Sequence, residues 1–521
     1  MKKYRVDQLR NVAIISHGGA GKTTLAEAML FLGGAVDRFG RVDDGTSTMD
    51  YDPDEVKRKI SINASVAPVE WNGHKINLID TPGYSDFVGE VVGALRIADA
   101  AMVLVDAVSG VEVGTELTWR HADERKLPRM VVINRMDREN ANFDKALGSI
   151  REVFGNHAVA AQLPIGEGDK FRGVADIIHM KAFIWSDASG KNVAESPIPD
   201  ELADAAQELR EKLIEYAAES DEELLNKYLE GEELTQEEFE RGLATGVADG
   251  SVVPVFCASG LRMVGVTPLM DSIVALLPSP VANGAVVGHL PDSDDQVERR
   301  PDEAEPFSAL VFKTMADPYV GKITMFRVYS GVVKSDSQVY NVSKDRVERF
   351  GQVFLIKGKQ QIAVAEVGAG DIAGVAKLSE TTTGNTLSDK DKPVVLDPIK
   401  FPSPVLSMAA RAKSKGDEDK IGQGLARLQE EDPTLRHTKE AETGELLVAG
   451  MGEVHLDIIA ERLKRKFGAE MTLDTPKVPY RETIKGTVKV EGRHKKQTGG
   501  RGQFGDVYCR FEPLERGTGF V

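Results

Sequence analysis

The sequence predicts a multidomain protein. A parallel α/β domain with an inserted subdomain is followed by a β-barrel, a ferredoxin-like α+β domain and an incomplete α+β fourth domain. The chain has 521 residues, more than one hydrophobic core usually supports. Apolar runs of strand length alternate with helical segments over residues 1 to about 282, and short alternating runs separated by turn residues follow. Length and pattern together predict at least three domains.

The composition is that of a globular protein from a reducing compartment. Hydrophobic residues make up 41% of the chain, only two cysteines occur, and no run approaches the ~20 apolar residues that span a bilayer. We therefore expect a cytoplasmic protein with no membrane partner, disulfide framework or structural zinc. The net charge of −17 argues against nucleic acid, but sixteen acidic against four basic residues fall within 200–241. The basic segment 493–496 fits a surface loop and an RNA contact equally well.

Residues 1–282 predict an open α/β sheet with its ligand at one edge. Five apolar runs have strand length, at 12–15, 76–79, 101–105, 130–133 and 252–256. Four of them lead directly into a polar or glycine-rich motif. Since open α/β sheets bind ligands at the carboxyl ends of their strands, we expect these motifs to meet there. A charged stretch with helical spacing predicts an inserted subdomain over about 158–250.

The rest of the chain predicts three further units. Residues 291–306 are polar and predict a solvated linker. Residues 300–398 predict an antiparallel β-barrel, because short alternating runs are separated by Gly, Ser and Asp. Residues 400–477 follow the β-α-β-β-α-β order of a ferredoxin-like domain. Residues 478–521 start a fourth domain and are too few to close it, so we expect it to be incomplete.

The first motif is a glycine-rich turn typical of a phosphate-binding loop. It comprises Ser16, His17, Gly18, Gly19, Ala20, Gly21, Lys22, Thr23 and Thr24. Backbone N–H groups at a helix start can face phosphate, Lys22 would reach the β- and γ-phosphates, and the Thr23 hydroxyl would ligate Mg²⁺. A strict pattern begins with Gly rather than Ser16, so a plain turn before an ordinary helix is the alternative. His17 fits a loop side chain that points to solvent.

The second motif suits a sensor of the γ-phosphate. Asp80 ends a predicted strand, where a carboxylate can hold Mg²⁺ through water. Gly83 can offer its N–H to the γ-phosphate without obstruction by a side chain. Loss of that phosphate would release the loop, which makes it a switch. The alternative is an ordinary Thr-Pro-Gly turn.

The last two motifs suit guanine. The Asp137 carboxylate can accept from the N1–H and the exocyclic amine of guanine, a pair that adenine does not present, and Asn134 lies beside it. Ser259 and Gly260 can supply a backbone N–H to the guanine carbonyl. A polar strand end is the alternative for Asn134 and Asp137 taken alone. The order of all four motifs favours a GTP-binding switch domain.

With these motifs in place, the chain resembles elongation factor G, a translational GTPase, over essentially its whole length. Further matching segments lie at 316–321 in the barrel, at 450–457 in the ferredoxin-like domain and at 496–503. The resemblance implies that GTP and GDP bind with Mg²⁺ and that the protein acts on the ribosome. It implies contacts to ribosomal RNA and a contact between the insertion and the ribosomal stalk protein. We expect a monomer.

Four positions depart from the family pattern. Tyr84 stands where the family has a His that orients the attacking water. A phenol, unlike an imidazole, does not take up a proton near neutral pH. Gly19 replaces an Asp of the phosphate loop. Ser61 replaces a Thr that caps Mg²⁺ and keeps its hydroxyl, and Arg135 replaces a Lys beside the base. These departures resemble those of the divergent bacterial paralogue of elongation factor G.

We expect a ribosome-dependent GTPase of the translocation or recycling type, with Lys22, Gly83 and Tyr84 as its catalytic residues. Tyr84 would place the water less effectively than His. The alternative is a GTP-dependent ribosome-binding regulatory or protection factor with little hydrolysis, which the departures favour. An ATP-using enzyme would require the guanine motifs to be incidental. Because the fourth domain is expected to be incomplete, we expect this chain to bind GTP without driving translocation at the full rate.

Overall fold

The structure is a computed structural model that describes residues 2–187, 189–317, 320–480 and 482–521. The strands of its first part are β1 (Leu9–Ile15), β2 (Ser65–Trp71), β3 (His74–Asp80), β4 (Ala100–Asp106), β5 (Arg129–Asn134), β6 (Ala158–Ala160), β7 (Gln162–Ile165), β8 (Gly173–Asp176), β9 (Lys181–Trp185), β10 (Val193–Ser196) and β11 (Val253–Cys257). The helices are α1 (Lys22–Leu32), α2 (Pro53–Arg58), α3 (Val88–Ile97), α4 (Val113–Asp123), α5 (Phe143–Phe154), α6 (Asp200–Glu219), α7 (Glu222–Leu229), α8 (Gln236–Asp249) and α9 (Val266–Leu276).

Seven of these strands form one sheet in the order β2-β3-β1-β4-β5-β11-β6. β2 runs antiparallel to β3, and all other neighbours are parallel. β1, β4 and β5 are buried along their whole length, as in a parallel sheet covered on both faces. The predicted apolar runs lie on β1, β3, β4, β5 and β11, so the carboxyl ends of these strands share one edge.

The inserted subdomain begins later than predicted. β7 to β10 form a four-stranded antiparallel sheet, and α6 packs against α7 and α8. Leu213 and Phe239 are fully buried between these helices and the main core. Residues 158–160 were expected in the insertion of about 158–250, but they form β6 at the edge of the main sheet. Three residues are too few for a sequence pattern to assign them to a sheet.

The segment predicted as a solvated linker is partly a strand. β12 (Val286–His289) pairs with β13 (Gln296–Arg299) and with β24 (Val395–Leu396), and the Arg299 side chain is buried. The Nη2 of Arg299 donates to the carbonyl of Lys392 at 2.9 Å. This pairing joins residues about 100 positions apart, so the local polar composition could not predict it.

The next unit is an antiparallel sheet around its own core. Its strands are β14 (Ser308–Asp317), β15 (Gly321–Ser330), β16 (Val332–Lys334), β17 (Gln338–Asn341), β18 (Arg346–Arg349), β19 (Val353–Lys357), β20 (Gln360–Val364), β21 (Glu366–Gly368), β22 (Ile372–Ala376) and β23 (Thr386–Ser388). Eight of them pair in the order β18-β17-β23-β14-β15-β22-β19-β20. Their inward side chains, such as Phe326 and Val353, meet in one apolar cluster, as the predicted barrel requires. Pro318 and Tyr319 of the 316–321 segment lie outside the described residues.

The third unit has the predicted ferredoxin-like order. It consists of β25 (Leu406–Ala412), α10 (Glu418–Glu431), β26 (Arg436–Lys439), β27 (Leu446–Gly450), α11 (Glu453–Phe467) and β28 (Met471–Asp474), with the sheet order β26-β27-β25-β28. Leu456, Ile459 and Leu463 of α11 are buried in its core, as their helical steps of three and four residues predict.

A hairpin of β29 (Val488–Lys496) and β30 (Gln503–Phe511) follows the third unit. The basic segment 493–496 therefore lies on a strand rather than in a surface loop, and its side chains are exposed. No helix in the described part of the chain is both long enough and apolar enough to span a bilayer.

Candidate functional site

The phosphate loop joins β1 to α1, and Lys22 is its buried cation. The Lys22 Nζ donates to Ser16 Oγ and to the carbonyl of His17, both at 3.1 Å. Burial lowers the pKa of Lys22 to about 8, and the neighbouring Asp80 opposes this shift. Gly21 has a φ of 90°, and a Cβ there would lie 2.6 Å from Asn134 Nδ2. This position therefore requires glycine for both its backbone conformation and its close packing.

Two hydroxyls and two carboxylates meet beside the start of α1. The Thr23 Oγ1 donates to Asp80 Oδ2 at 2.6 Å and lies 3.0 Å from Ser61 Oγ. The Ser61 hydroxyl lies beside the Asp50 carboxylate and opposes the rise in the pKa of that group. Burial raises the pKa of both Asp80 and Asp50, and each of them has one buried carboxylate oxygen with no hydrogen-bond partner among the described residues. This excess of buried acceptors calls for a cation.

The donor set fits Mg²⁺. Hydroxyl and carboxylate oxygens are the hard ligands that Mg²⁺ prefers, and substrate phosphates usually complete its shell. Thr23, Ser61 and Asp80 supply such oxygens, and these lie close enough together to contact a single ion. Asp50 was not predicted from the sequence, because it lies 30 residues from Asp80 and belongs to none of the four motifs.

Gly83 and Tyr84 place the second motif directly on the phosphate loop. A Cβ on Gly83 would lie 2.5 Å from Lys22 Nζ and 2.6 Å from the Gly18 nitrogen, so only glycine fits. The Tyr84 ring lies over Gly18, where a Cβ would be 3.2 Å from Tyr84 Cε2. The ring is half exposed and borders a cavity of about 190 Å³ that His17 and Leu117 also line.

Asn134 connects three of the four motifs. Its Nδ2 donates to the carbonyl of Ala20 at 2.9 Å, and its Oδ1 accepts from the Gly260 N–H at 3.1 Å. Ser259 is fully buried behind this contact. One amide side chain thus connects the phosphate loop to the loop after β11. Gly260 also packs against the start of α1 at the half-buried Thr24.

Asp137 and Arg135 lie on the loop after β5. The Asp137 carboxylate is 11% exposed and lies 3.9 Å from Arg262 Nε. Arg135 has a φ of 65°, and its Nη1 pairs with Asp106 Oδ2 at 3.1 Å. The guanidinium of Arg135 is therefore directed to the end of β4, and Asp137 remains the acceptor at the rim of the site.

His17 does not simply point to solvent. Its Nδ1 accepts from the Gly114 N–H at 3.2 Å, and its Nε2 lies 3.7 Å from Glu112 Oε1. The ring is thereby attached to the start of α4. Gly19 has a φ of 87°, and a Cβ there would meet nothing within 4 Å.

Helix α11 of the third unit contacts both sides of this site. Its Arg462 and Arg465 pair with Asp54 of α2 at 3.3 and 3.0 Å. At the start of α11, the His455 N–H donates to Asp86 Oδ2 at 3.2 Å. Asp86 lies two residues after Tyr84. The contacts of these residues were not predicted from the sequence, because contacts over about 370 to 410 positions leave no local pattern.

Four family models match consecutive parts of the chain. The elongation factor Tu GTP binding domain matches residues 7–279, and elongation factor G domain 2 matches 306–390. Elongation factor G domain III matches 401–475, and domain IV matches 476–521. These matches follow the order of the structural units.

A crystal structure of a protein from Thermus thermophilus is similar over nearly the whole chain. It is 39% identical in sequence, with a TM-score of 0.86, and the match covers 98% of this chain and 74% of that one. The chain belongs to the elongation factor G family of translational GTPases and is a GTP-binding translation factor that acts on the ribosome.

Proposed function

We propose that this chain docks on the ribosome in its GTP form and hydrolyses GTP with water. The main support is the pair of hydrogen bonds that Asn134 makes, one to the phosphate loop and one to Gly260 in the predicted guanine motif at the same edge of the sheet. A triphosphate along Lys22 and a guanine at Asp137 would then lie in one continuous site. Phosphoryl transfer depends mainly on positioning and charge stabilisation, which such a site can provide.

Three residues would act on the phosphates. The buried Lys22 ammonium would neutralise β- and γ-phosphate charge, and the Gly83 N–H would hold the γ-phosphate. Gly83 already lies against Lys22 and the phosphate loop, which supports this assignment. Tyr84 would help to place the attacking water through its hydroxyl. The contact of its ring with Gly18 keeps it beside the loop.

Thr23, Ser61 and Asp80 would hold Mg²⁺, which screens phosphate charge when it is bound. Replacing Ser61 with alanine is expected to raise the Mg²⁺ concentration for half-maximal GTP retention about fivefold, because one oxygen worth roughly 1 kcal/mol is lost. Dissociation of a fluorescent GTP analogue against free Mg²⁺ measures this. Ser61→Thr keeps the hydroxyl and should stay within about twofold of the parent chain. Equal Mg²⁺ curves for Ser61→Ala and the parent would remove Ser61 from the site.

Replacing Tyr84 with histidine is expected to raise ribosome-stimulated turnover about tenfold or more, because an imidazole can exchange protons near neutral pH. Phosphate release at saturating GTP and ribosomes is the measurement. Tyr84→Phe keeps the ring on Gly18 and loses only the hydroxyl, so its turnover should fall below that of the parent. An unchanged or lower rate for Tyr84→His would argue against this role of Tyr84.

The function itself is tested by multiple-turnover GTP hydrolysis with and without ribosomes. We expect ribosomes to stimulate the rate of hydrolysis. We also expect that unlabelled GTP displaces a bound fluorescent GDP analogue and that ATP does not. The second candidate is a ribosome-binding regulatory or protection factor with little hydrolysis. The half-exposed Tyr84 ring favours it, since a phenol is a weak proton acceptor at neutral pH. Nucleotide-dependent ribosome binding without stimulated turnover would select this second function.

The insertion is the proposed contact to the ribosomal stalk protein. Acidic side chains of α6 to α8 are exposed on its surface, so this contact should weaken with salt. Binding to purified stalk protein at increasing ionic strength tests the contact. We further propose a monomeric, cytoplasmic protein, and light scattering of the purified chain tests its monomeric state.

A further inference from the structure

Glu27 is a buried acid that none of the four motifs contains. It lies on α1, one turn beyond Lys22 and Thr23, and its side chain is fully buried. Its Oε1 accepts from the Ser47 hydroxyl at 2.8 Å, from the Met49 N–H at 2.9 Å and from the Thr48 N–H. A buried carboxylate is costly unless it is hydrogen-bonded, so these three donors are needed to keep it there.

The segment 40–50 is folded around this carboxylate. A Cβ on Gly40 would collide with Glu27 Oε2, so the absence of a side chain at Gly40 leaves the space that the carboxylate fills. Oε2 is buried and has no hydrogen-bond partner among the described residues. All the donors to Glu27 therefore act on one oxygen, and they come from three consecutive residues.

The turn at residues 47–50, which contains these three donors, also fixes Asp50. The Ser47 Oγ, held by Glu27, accepts from the Asp50 N–H at 3.0 Å. The Asp50 carboxylate then lies beside the Ser61 hydroxyl, which is 3.0 Å from Thr23 Oγ1. A chain of contacts thus runs from the middle of α1 through residues 47–50 and back to the start of α1.

Two other elements hold the turn from outside. The Ser65 hydroxyl of β2 donates to the Met49 carbonyl at 2.7 Å. Gly358, between β19 and β20 of the barrel, packs against the Thr48 carbonyl so closely that a Cβ would collide with it. Glu27 is the inner anchor of this arrangement, because it joins the turn to the phosphate-binding helix through three hydrogen bonds.

We propose that Glu27 is a positioning residue that fixes residues 47–50 to α1 and so sets Asp50 and Ser61 at the metal side of the GTP site. This inference rests on the proposed Mg²⁺ and GTP site for its functional consequence. Release of the turn would remove all three donors from the Glu27 carboxylate together, because they come from three consecutive residues. The turn therefore leaves α1 as a unit rather than residue by residue.

The first test is amide hydrogen exchange of the full chain, with Glu27→Ala and Glu27→Gln. Glu27→Ala is expected to speed exchange of the Thr48 and Met49 amides about tenfold or more, since hydrogen bonds worth about 1.4 kcal/mol or more are lost. Amides of the buried β4 should not change. Glu27→Gln keeps a carbonyl acceptor and should restore most of the protection. Glu152→Ala, at an exposed acid of α5, is the matched control.

The second test is retention of a fluorescent GTP analogue against free Mg²⁺. Glu27→Ala should raise the Mg²⁺ requirement about fivefold, and Glu27→Gln should stay near the parent. Gly40→Ala perturbs Glu27 from the other side without changing α1, and it should reproduce both effects if Glu27→Ala fails to fold. Unchanged exchange at Thr48 and Met49 with an unchanged Mg²⁺ requirement would overturn the proposal. Absence of any guanine-nucleotide binding by the parent chain would instead refute the proposed function, and the exchange test would still decide the role of Glu27.

Discussion

Replacing Lys22 with alanine is expected to weaken GTP binding about a hundredfold and to abolish turnover, because two charge-assisted hydrogen bonds of roughly 1.5 kcal/mol each are lost. Lys22 is 5% exposed and its ammonium lies against the Gly83 turn, so water cannot replace it easily. Its hydrogen bonds to Ser16 and His17 fix it within the loop that would receive the phosphates.

Equilibrium titration with a fluorescent GTP analogue measures the loss of affinity, and phosphate release on ribosomes measures turnover. Lys212→Ala is the matched control, because Lys212 is exposed on α6 and pairs with Glu208 one turn away. It should leave GTP affinity within about twofold of the parent, as expected for a surface pair. A Lys22→Ala chain that binds GTP as tightly as the parent would rule out the proposed phosphate site.

The position of the site was predictable from the sequence because it depends on local signals. Each motif follows an apolar run of strand length, and parallel strands place their carboxyl ends at one edge. Lys22, Asp80, Asn134 and Gly260 were therefore expected to meet, and the contact of Asn134 with Ala20 and Gly260 brings them together. The fold of the third unit was predictable for the same reason, since the stripe on α11 has helical spacing.

The contacts that support the site were not predictable. Glu27 has the local pattern of any helical residue, and its burial arises only when residues 40–50 fold over it. The pairing of β12 with β24 is equally non-local. Such contacts depend on tertiary packing, which periodicity and composition within one segment do not encode.

The contacts of α11 show how the site can be coupled to the third unit. Ile62, which follows Ser61, and Phe87, which lies three residues after Tyr84, pack with Ile458 of α11 in one small apolar cluster. The Asp86 carboxylate accepts the His455 N–H at the start of the same helix, where it acts as a cap supplied by another domain. A movement of either segment therefore changes the environment of one rigid helix.

Replacing Asp137 with asparagine is expected to reverse the choice of base. The carboxylate would accept two N–H groups of guanine, and an asparagine amide presents a donor in place of one acceptor. GTP affinity should fall about a hundredfold, since one hydrogen bond to a charged group is replaced by a contact between two donors and the other no longer involves a charge. Xanthosine triphosphate should gain affinity by a comparable factor, because its second carbonyl can accept from the new amide.

Competition of GTP and xanthosine triphosphate against one fluorescent nucleotide gives both affinities for each chain. Asp169→Asn is the matched control, because Asp169 lies 3.4 Å from the same Arg262 but is 96% exposed on the side of the insertion. If charge near Arg262 alone set affinity, both variants would behave alike. If Asp137 contacts the base, only Asp137→Asn lowers the affinity for GTP and raises the affinity for xanthosine triphosphate. Lys22 would hold the phosphates of both nucleotides. A loss of GTP affinity without a gain for xanthosine triphosphate would mean that Asp137 supports the loop and does not recognise the base.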